Sequence, residues 1–350
     1  MRIVIPGGTG QVGTLLARAF QREGHDVVVL SRSPRSRPWR EVAWDGVSVA
    51  GWAREIDGCD VVINLAGRSV NCRYTEANRR EILESRVAST CAVGAAIAQA
   101  ARPPRVWLQA STATIYAHRY DAPNDEFTGI VGDDEPSAPH SWRFSIDVAR
   151  AWERALDEAA TPRTRKIALR SAMTMSPDRG GIFDTLLGLV RRGLGGVAGD
   201  GRQFISWIHH VDFVRAVRWL IDHDELDGVV NLSAPNPLPN REFMRLLRHA
   251  AGVPIGLPAN RLMLEIGALF MRTETELILK SRRVVPTRLL ESGFEFSFAN
   301  WRDAAIDLSR EWQSARGAPV HAAPRQSRRS DSPQDRPVAA PRREATPRGA

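Results

Sequence analysis

The chain has 350 residues, 43% of them hydrophobic and 25% charged, the proportions of an ordinary globular protein with room for two lobes. Its net charge of +8 is unevenly spread: from Arg316 to Ala350 eight arginines face only Asp331, Asp335 and Glu344, so five of the excess charges belong to the tail and three to the rest. That balance, with no aromatic residues interleaved among the tail arginines, argues against a nucleic-acid-binding protein.

The first thirty residues organise the chain. Arg2-Ile3-Val4-Ile5 is apolar and β-branched, as a strand buried on both faces should be. Pro6-Gly7-Gly8-Thr9-Gly10-Gln11-Val12-Gly13 follows, and Thr14 to Glu23 reads as a helix with Leu15, Leu16, Ala19 and Phe20 on one face. Gly24 ends it, and His25 to Leu30 is a second strand. Strand, glycine turn, helix, strand is a dinucleotide-binding unit: the turn leaves the strand sharply, bare backbone lets a diphosphate approach, and the helix start offers unpaired N–H groups. Gly7, Gly10 and Gly13 are spaced G-x-x-G-x-x-G, as in extended and atypical short-chain dehydrogenases. The whole run Gly7, Gly8, Thr9, Gly10, Gln11, Val12, Gly13 is expected to hold the cofactor. After the second strand comes Ser31-Arg32-Ser33-Pro34-Arg35, where a carboxylate would mark NAD. Ser31 and Arg32 suit a 2′-phosphate instead, so NADP(H) is the expected cofactor.

Glu41 to Asp45 looks like a third short strand, and Asp60 to Gly67 holds a fourth, ending in a small-residue turn (Leu65, Ala66, Gly67) against which a cofactor ribose can lie. Thr75 to Ala101 reads as a long helix and Arg105 to Ala110 as a fifth strand, ending in the hydroxyl cluster Ser111-Thr112-Ala113-Thr114-Ile115-Tyr116. Residues 118–140 form a surface loop, Ser141 to Ala160 a helix, and Arg165 to Ser171 a sixth strand. This alternation predicts an α/β, Rossmann-like, doubly wound parallel sheet over residues 1–172. A smaller substrate lobe follows over 173–316, from which strands and a helix at about 204–232 return to the first domain. Within it are expected a helix from Ile182 to Arg192, a helix from Phe213 to Asp222, a strand from Val229 to Leu232, and a helix from Asn240 to Ala251 with Asn240 as its cap. Arg261 to Ser281 reads as mostly helical, and Trp301 to Arg316 as the last helix. Residues 317–350, with six prolines and few large apolar groups, are expected to be a disordered tail.

Several motifs together resemble the atypical short-chain dehydrogenase/reductase group called "epimerase family protein", with its C-terminal domain of unknown function. They are Gly7 to Gly13, Ser31-Arg32-Ser33-Pro34, Asn64-Leu65-Ala66-Gly67, and Asn71-Cys72-Arg73-Tyr74 through Arg79-Arg80 to Ser85-Arg86-Val87. Gly193-Leu194-Gly195-Gly196, Gly201-Arg202-Gln203, Trp207-Ile208-His209, Val285-Pro286-Thr287-Arg288 and Gly293-Phe294 complete the set. The resemblance spans Met1 to about Trp312 and implies an NADP-binding Rossmann fold acting as an oxidoreductase or epimerase on a small carbonyl or sugar-like compound.

Short-chain dehydrogenases use a Tyr activated by a Lys four residues later, assisted by a Ser or Thr hydroxyl. Here the tyrosines are Tyr74, Tyr116 and Tyr120, followed at the fourth position by Asn78, Tyr120 and Asn124, so that pair is missing. Phe144 and Val148 stand where it is expected. This leaves a second reading open, a catalytically silent NADPH sensor. Thr112 is the surviving hydroxyl partner, although a strand-end hydroxyl can equally cap a turn. Tyr116, Ser145 and Asp147 are substitutes for the acid. Substrate contacts are expected at Asn71, Arg86, Tyr116 and His209. Arg79 and Arg86, seven apart on one helix face, suit an anionic group or, alternatively, helix ion pairs. No metal site is expected: His209 and His210 are adjacent on an extended segment and point to opposite faces. In the alternative, His209 is structural and Asp212 caps the next helix. Cys59, Cys72 and Cys91 are odd in number and lack metal or redox spacing, which fits free thiols in the cytoplasm. No leader is apparent and no apolar run reaches membrane-span length, so no membrane partner is expected.

Overall fold

The computed structural model describes residues 1–132, 142–259 and 276–317. The helical reading of 261–281 therefore falls mostly outside the described residues, as do the end of the 118–140 loop, Ser141 and the tail beyond Gly317.

The elements, in chain order, begin with β1 (Arg2–Pro6), α1 (Gln11–Arg22), β2 (Asp26–Ser31), β3 (Arg40–Ala43), β4 (Val61–Asn64), α2 (Glu76–Gln99), β5 (Val106–Thr112), α3 (Arg143–Asp157) and β6 (Arg165–Ser171). After them come β7 (Met173–Met175), α4 (Ile182–Arg191), β8 (Phe204–Ile205), β9 (Trp207–His209), α5 (His210–Asp222), β10 (Gly228–Leu232), β11 (Leu238–Pro239) and α6 (Asn240–Ala251). The last three are α7 (Glu276–Leu279), α8 (Thr287–Glu291) and α9 (Trp301–Ser314). Among the described residues, seven strands form one parallel sheet in the order β10-β6-β5-β4-β1-β2-β3. The order reverses between β1 and β4, and ligands of such sheets bind at that switch point, beyond the carboxyl ends of the strands.

The strands read as unbroken apolar runs because both faces are covered. Ile3, Ile5, Val27, Val29, Ile63, Leu108 and Ile167 point to one side, where Leu16 and Phe20 of α1 and Phe213, Val217 and Leu220 of α5 cover them. Val4, Val28, Val62, Trp107 and Ala168 point to the other, against Val93, Ala96 and Ile97 of α2 and Leu156 of α3. A separate core joins α4, α6 and α9 through Phe183, Leu187, Phe243, Leu247, Trp301 and Leu308. Trp301 lies flat on Phe243, ring centroids 4.0 Å apart.

Several helix starts differ from the sequence reading, α1 beginning at Gln11 rather than Thr14; two of the differences have a clear cause in the fold. The helix expected from Phe213 begins at His210, and its cap is His209, whose Nδ1 accepts from the Val211 N–H at 3.3 Å. Asp212 lies inside the first turn, fully buried, and accepts from the Ser297 N–H (2.9 Å), the Phe298 N–H (2.8 Å) and Arg215 Nη1 (2.8 Å). A loop remote in sequence needed an acceptor, and that demand outweighed local capping. Likewise Asn240 is the first residue of α6 rather than its cap; its Oδ1 accepts from the Ala198 N–H at 2.9 Å and so ties down the glycine-rich 193–201 loop.

Replacing Asp212 with Ala orphans two backbone donors and an arginine contact. In urea unfolding Asp212→Ala is expected to lower stability by about 3 kcal/mol; a loss below about 1 kcal/mol would show that the 297–298 loop finds other acceptors.

Candidate functional site

At the switch point lies a cleft of about 1240 Å³, the size of a cofactor site. Its floor is where the turns after β1 and β4 meet. Gly7 has φ of +73°, donates its N–H to Leu30 O at 2.9 Å, and approaches so closely that a Cβ there would lie 2.5 Å from Ala66 Cα. Gly13 meets Gly8 in the same way, a Cβ falling 2.4 Å from the Gly8 Cα, which lets α1 sit against the turn. Gly10 is different. Its missing Cβ has nothing within 4 Å, and as the cap residue of α1 it brings no side-chain acceptor to the first-turn N–H groups. Bare backbone at a helix start is what a diphosphate needs, and the open space at Gly10 leaves room for one.

Gly7, Thr9 and Gly10 line the cleft. Gln11 and Val12 turn away from it: Val12 packs against the sheet core, and the Gln11 amide lies against Gly181 ahead of α4. At the far end Ser31 and Arg32 line the rim, joined by Arg35, Arg37, Glu41, Trp44 and Asp45. Ser31 Oγ accepts from the Ser33 N–H at 3.2 Å, which leaves its own hydrogen to donate. Leu65, Ala66 and Gly67 form the facing wall with Ala88 and Ser89 of α2. That turn is held by Asn64, fully buried, whose Oδ1 accepts from the Ala66 N–H at 3.1 Å while its Nδ2 donates to Gln109 Oε1 at 2.9 Å. The sequence reading missed Glu41, Trp44, Asp45, Ala88 and Ser89; none lies in a glycine motif, and only the neighbouring strand and helix bring them to the cleft.

Of the expected substrate residues, Asn71 is exposed on the cleft rim. Arg86, Tyr116 and His209 do not line the cleft. Arg86 braces the wall from behind: Nη1 donates to Arg68 O (3.0 Å) and Ile82 O (2.9 Å), the guanidinium lies over Trp152, and burial brings its pKa down to about 10. The Tyr116 hydroxyl accepts from Arg170 Nη1 and donates to Asn231 Oδ1, both at 3.0 Å, and burial pushes its pKa up. Arg170 in turn holds Glu153 (2.7 Å), which accepts from Ser111 Oγ at 2.5 Å. His209 is fully buried and stacks on Phe298 at 3.8 Å; burial first, and then the neighbouring His210, depress its pKa to about 3. With Nδ1 accepting from the backbone, Nε2 carries the proton, 3.4 Å from Asp307 Oδ2.

Thr112 ends β5 half-buried, its Oγ1 accepting from the Thr114 N–H at 3.1 Å. Behind it, Thr114 receives two cations from the C-terminal segment, the half-buried Arg282 through Nε on its Oγ1 (3.1 Å) and the buried Lys280 through Nζ on its carbonyl (2.9 Å). On α3, Phe144 meets the Tyr74 ring edge-on at 5.2 Å and Val148 is buried, while Ser145 Oγ donates to Glu276 Oε2 at 2.7 Å and Asp147 is exposed. Among the described residues no helix is long and apolar enough to cross a membrane, and no group of three or more His, Cys, Asp or Glu side chains is placed to hold a metal ion.

Fold and cleft together define a dinucleotide-binding protein of the short-chain dehydrogenase type. The chain belongs to the NAD dependent epimerase/dehydratase family, which residues 3–233 match; residues 261–308 match a domain of unknown function, DUF1731. It is 33% identical over 304 residues to the epimerase family protein SDR39U1 of Bos taurus, covering 85% of this chain and 96% of that one. The crystal structure of human epimerase family protein SDR39U1 with NADPH superposes with a TM-score of 0.78 at 29% identity, over 89% of this chain and 99% of that one. A nucleoside-diphosphate sugar epimerase from Corynebacterium glutamicum gives 0.69 at 26% identity, over 92% of this chain and 62% of that one. The resemblance read from the motifs is thus borne out.

The depressed pKa of His209 has a definite sign. The unfolded chain binds its proton near the ordinary value of 6.5, so the native state is penalised as pH falls below that value, the penalty growing until about pH 3. At 1.36 kcal/mol per unit this amounts to on the order of 2–3 kcal/mol at pH 4.5. His209→Asn keeps a capping acceptor without a titrating group, and should flatten the fall in stability between pH 6.5 and 4.5 in urea titrations. An unchanged slope would show that His209 ionises readily in the folded state.

Proposed function

We propose that this protein binds NADP(H) and acts as an oxidoreductase or epimerase on a small carbonyl or sugar-like substrate. The observation that carries the reading is the bare helix start at Gly10, open to the cleft, with the rim of Ser31, Arg32, Arg35 and Arg37 at its far end. The diphosphate belongs on Gly7 to Gly10, the adenine ribose against Leu65, Ala66 and Gly67, and the 2′-phosphate on Ser31 and Arg32. The NADPH in the structure of the human relative supports NADP(H) as the ligand. A bound nicotinamide supplies reversible hydride transfer. The task left to the chain is to orient the substrate and move a proton at its oxygen. Thr112 is the hydroxyl assigned to that oxygen: it accepts from the Thr114 N–H and retains its own hydrogen to donate.

A second reading, an NADPH-binding sensor without turnover, is favoured by α3. Where a Tyr and a Lys would stand, Phe144 lies against an aromatic ring and Val148 is buried. Cys59, Cys72 and Cys91 are free thiols, which supports a reducing compartment such as the cytoplasm; burial pushes the Cys59 thiol up to about 12.

A charge-assisted hydrogen bond contributes roughly 1.5–3 kcal/mol, so Arg32 is expected to favour NADPH over NADH by about 10- to 150-fold. Isothermal titration of both cofactors should show that preference in wild type and its loss in Arg32→Ala. A variant with the full preference would remove Arg32 from the phosphate site. For Thr112, NADPH oxidation is followed with a panel of carbonyl compounds and oxidised nucleotide sugars. Thr112→Val should lower any turnover on the order of 100-fold with NADPH affinity nearly unchanged. Equal rates would exclude Thr112, and tight NADPH binding with no turnover across the panel would favour the sensor.

A further inference from the structure

Glu41 is an acidic residue at the end of the cleft where a carboxylate ordinarily selects NAD. It sits on β3, in register with Val29 of β2. The residues from Arg32 to Pro38 are all exposed, yet the Glu41 side chain is only 2% exposed, and it lines the cleft beside Arg32, Arg35 and Arg37. Its Oε2 accepts from the backbone N–H of Arg35 at 2.8 Å, and its Oε1 lies 3.9 Å from Arg37 Nε. At the start of the same loop Ser31 Oγ accepts from the Ser33 N–H. Among the described residues no backbone–backbone hydrogen bond closes the loop between Arg32 and Arg37. Two side-chain acceptors, one at each end, do that work.

A carboxylate here has two opposed uses. Free, it would accept from a ribose 2′-hydroxyl and repel a 2′-phosphate. Bound to the loop, it accepts from the Arg35 backbone N–H, pairs with the Arg37 guanidinium, and holds the loop beside the cleft before any ligand arrives. The geometry favours the second use, since both carboxylate oxygens face the loop and the rim keeps three arginines against the two carboxylates of Glu41 and Asp45. A loop ordered in advance spares the ligand the ordering cost.

We propose that Glu41 is a positioning residue for cofactor specificity: it clamps the Arg32–Arg37 loop so that its arginines meet the 2′-phosphate. This rests on the NADP(H) reading.

The test is isothermal titration of wild type, Glu41→Gln and Glu41→Ala with NADPH and NADH, and with 2′,5′-ADP and 5′-AMP as probes of the adenine end alone. Thermal melts check that each variant is folded. Glu41→Ala is expected to weaken NADPH and 2′,5′-ADP about tenfold and to change NADH and 5′-AMP less than twofold. Glu41→Gln keeps an acceptor for the Arg35 N–H and should restore most of the loss, which a general structural defect would not. Equal weakening of all four ligands in Glu41→Ala would overturn the proposal in favour of a merely structural role. Tighter NADPH with weaker NADH in either variant would overturn it in favour of a ribose-binding acid. Wild type without any preference for NADPH would instead sink the cofactor reading, whatever the variants do.

Discussion

The structure depends on one close approach. The turn after β1 and the turn after β4 touch where Gly7 meets Ala66, at a distance that leaves no room for even a methyl group. That contact brings two strands adjacent in the sheet, but far apart in the chain, to one cleft floor. It aims α1 so that its first N–H groups face the opening, and it holds the Leu65–Gly67 turn where a ribose can reach it. A side chain at Gly7 would also have to adopt positive φ, so the cost there is steric and conformational together.

Beyond this floor, polar groups inside the protein fix turns and side chains in place. Asn64 and Gln109 lock the β4 turn, Arg170 joins Glu153 to Tyr116, and Lys280 and Arg282 grip Thr114. Buried ionic groups contribute little net stability compared with well-packed apolar residues; what these contribute is position. The C-terminal segment has a share in this. Glu276 bonds Ser145 from 131 residues away, and Arg282 reaches Thr114 from 168. Part of the stretch matching a domain of unknown function thereby sets the turn that carries Thr112.

Local chemistry made much of the fold legible. The strands of a parallel sheet bury both faces, so β1, β2 and β4 stand out as short β-branched runs, and β6 spans the residues expected of it. The glycine spacing before α1 is legible because each glycine answers a separate local demand. Helix starts were less so. Thr75, read as the first residue of the long helix, is the cap of α2, with Oγ1 accepting from the Asn78 N–H, whereas Asp212 and Asn240 were drawn away by distant backbone donors.

By itself the sequence determined the nucleotide-binding unit, the family, the missing Tyr-x-x-x-Lys pair and the basic loop after β2, all of which are patterns of neighbours along the chain. Only the tertiary structure decided which polar side chains line the cleft and which hold it up. Arg86, Tyr116 and His209, expected from the sequence to touch substrate, lie outside the lining of this cleft, each with hydrogen-bond partners in the fold. Glu41 looked unremarkable and proved to be part of the rim. The reason is physical: a side chain's role follows from which donors, acceptors and charges lie within about 3 Å of it, and at the cleft wall those partners come from strands and loops tens to more than a hundred residues away.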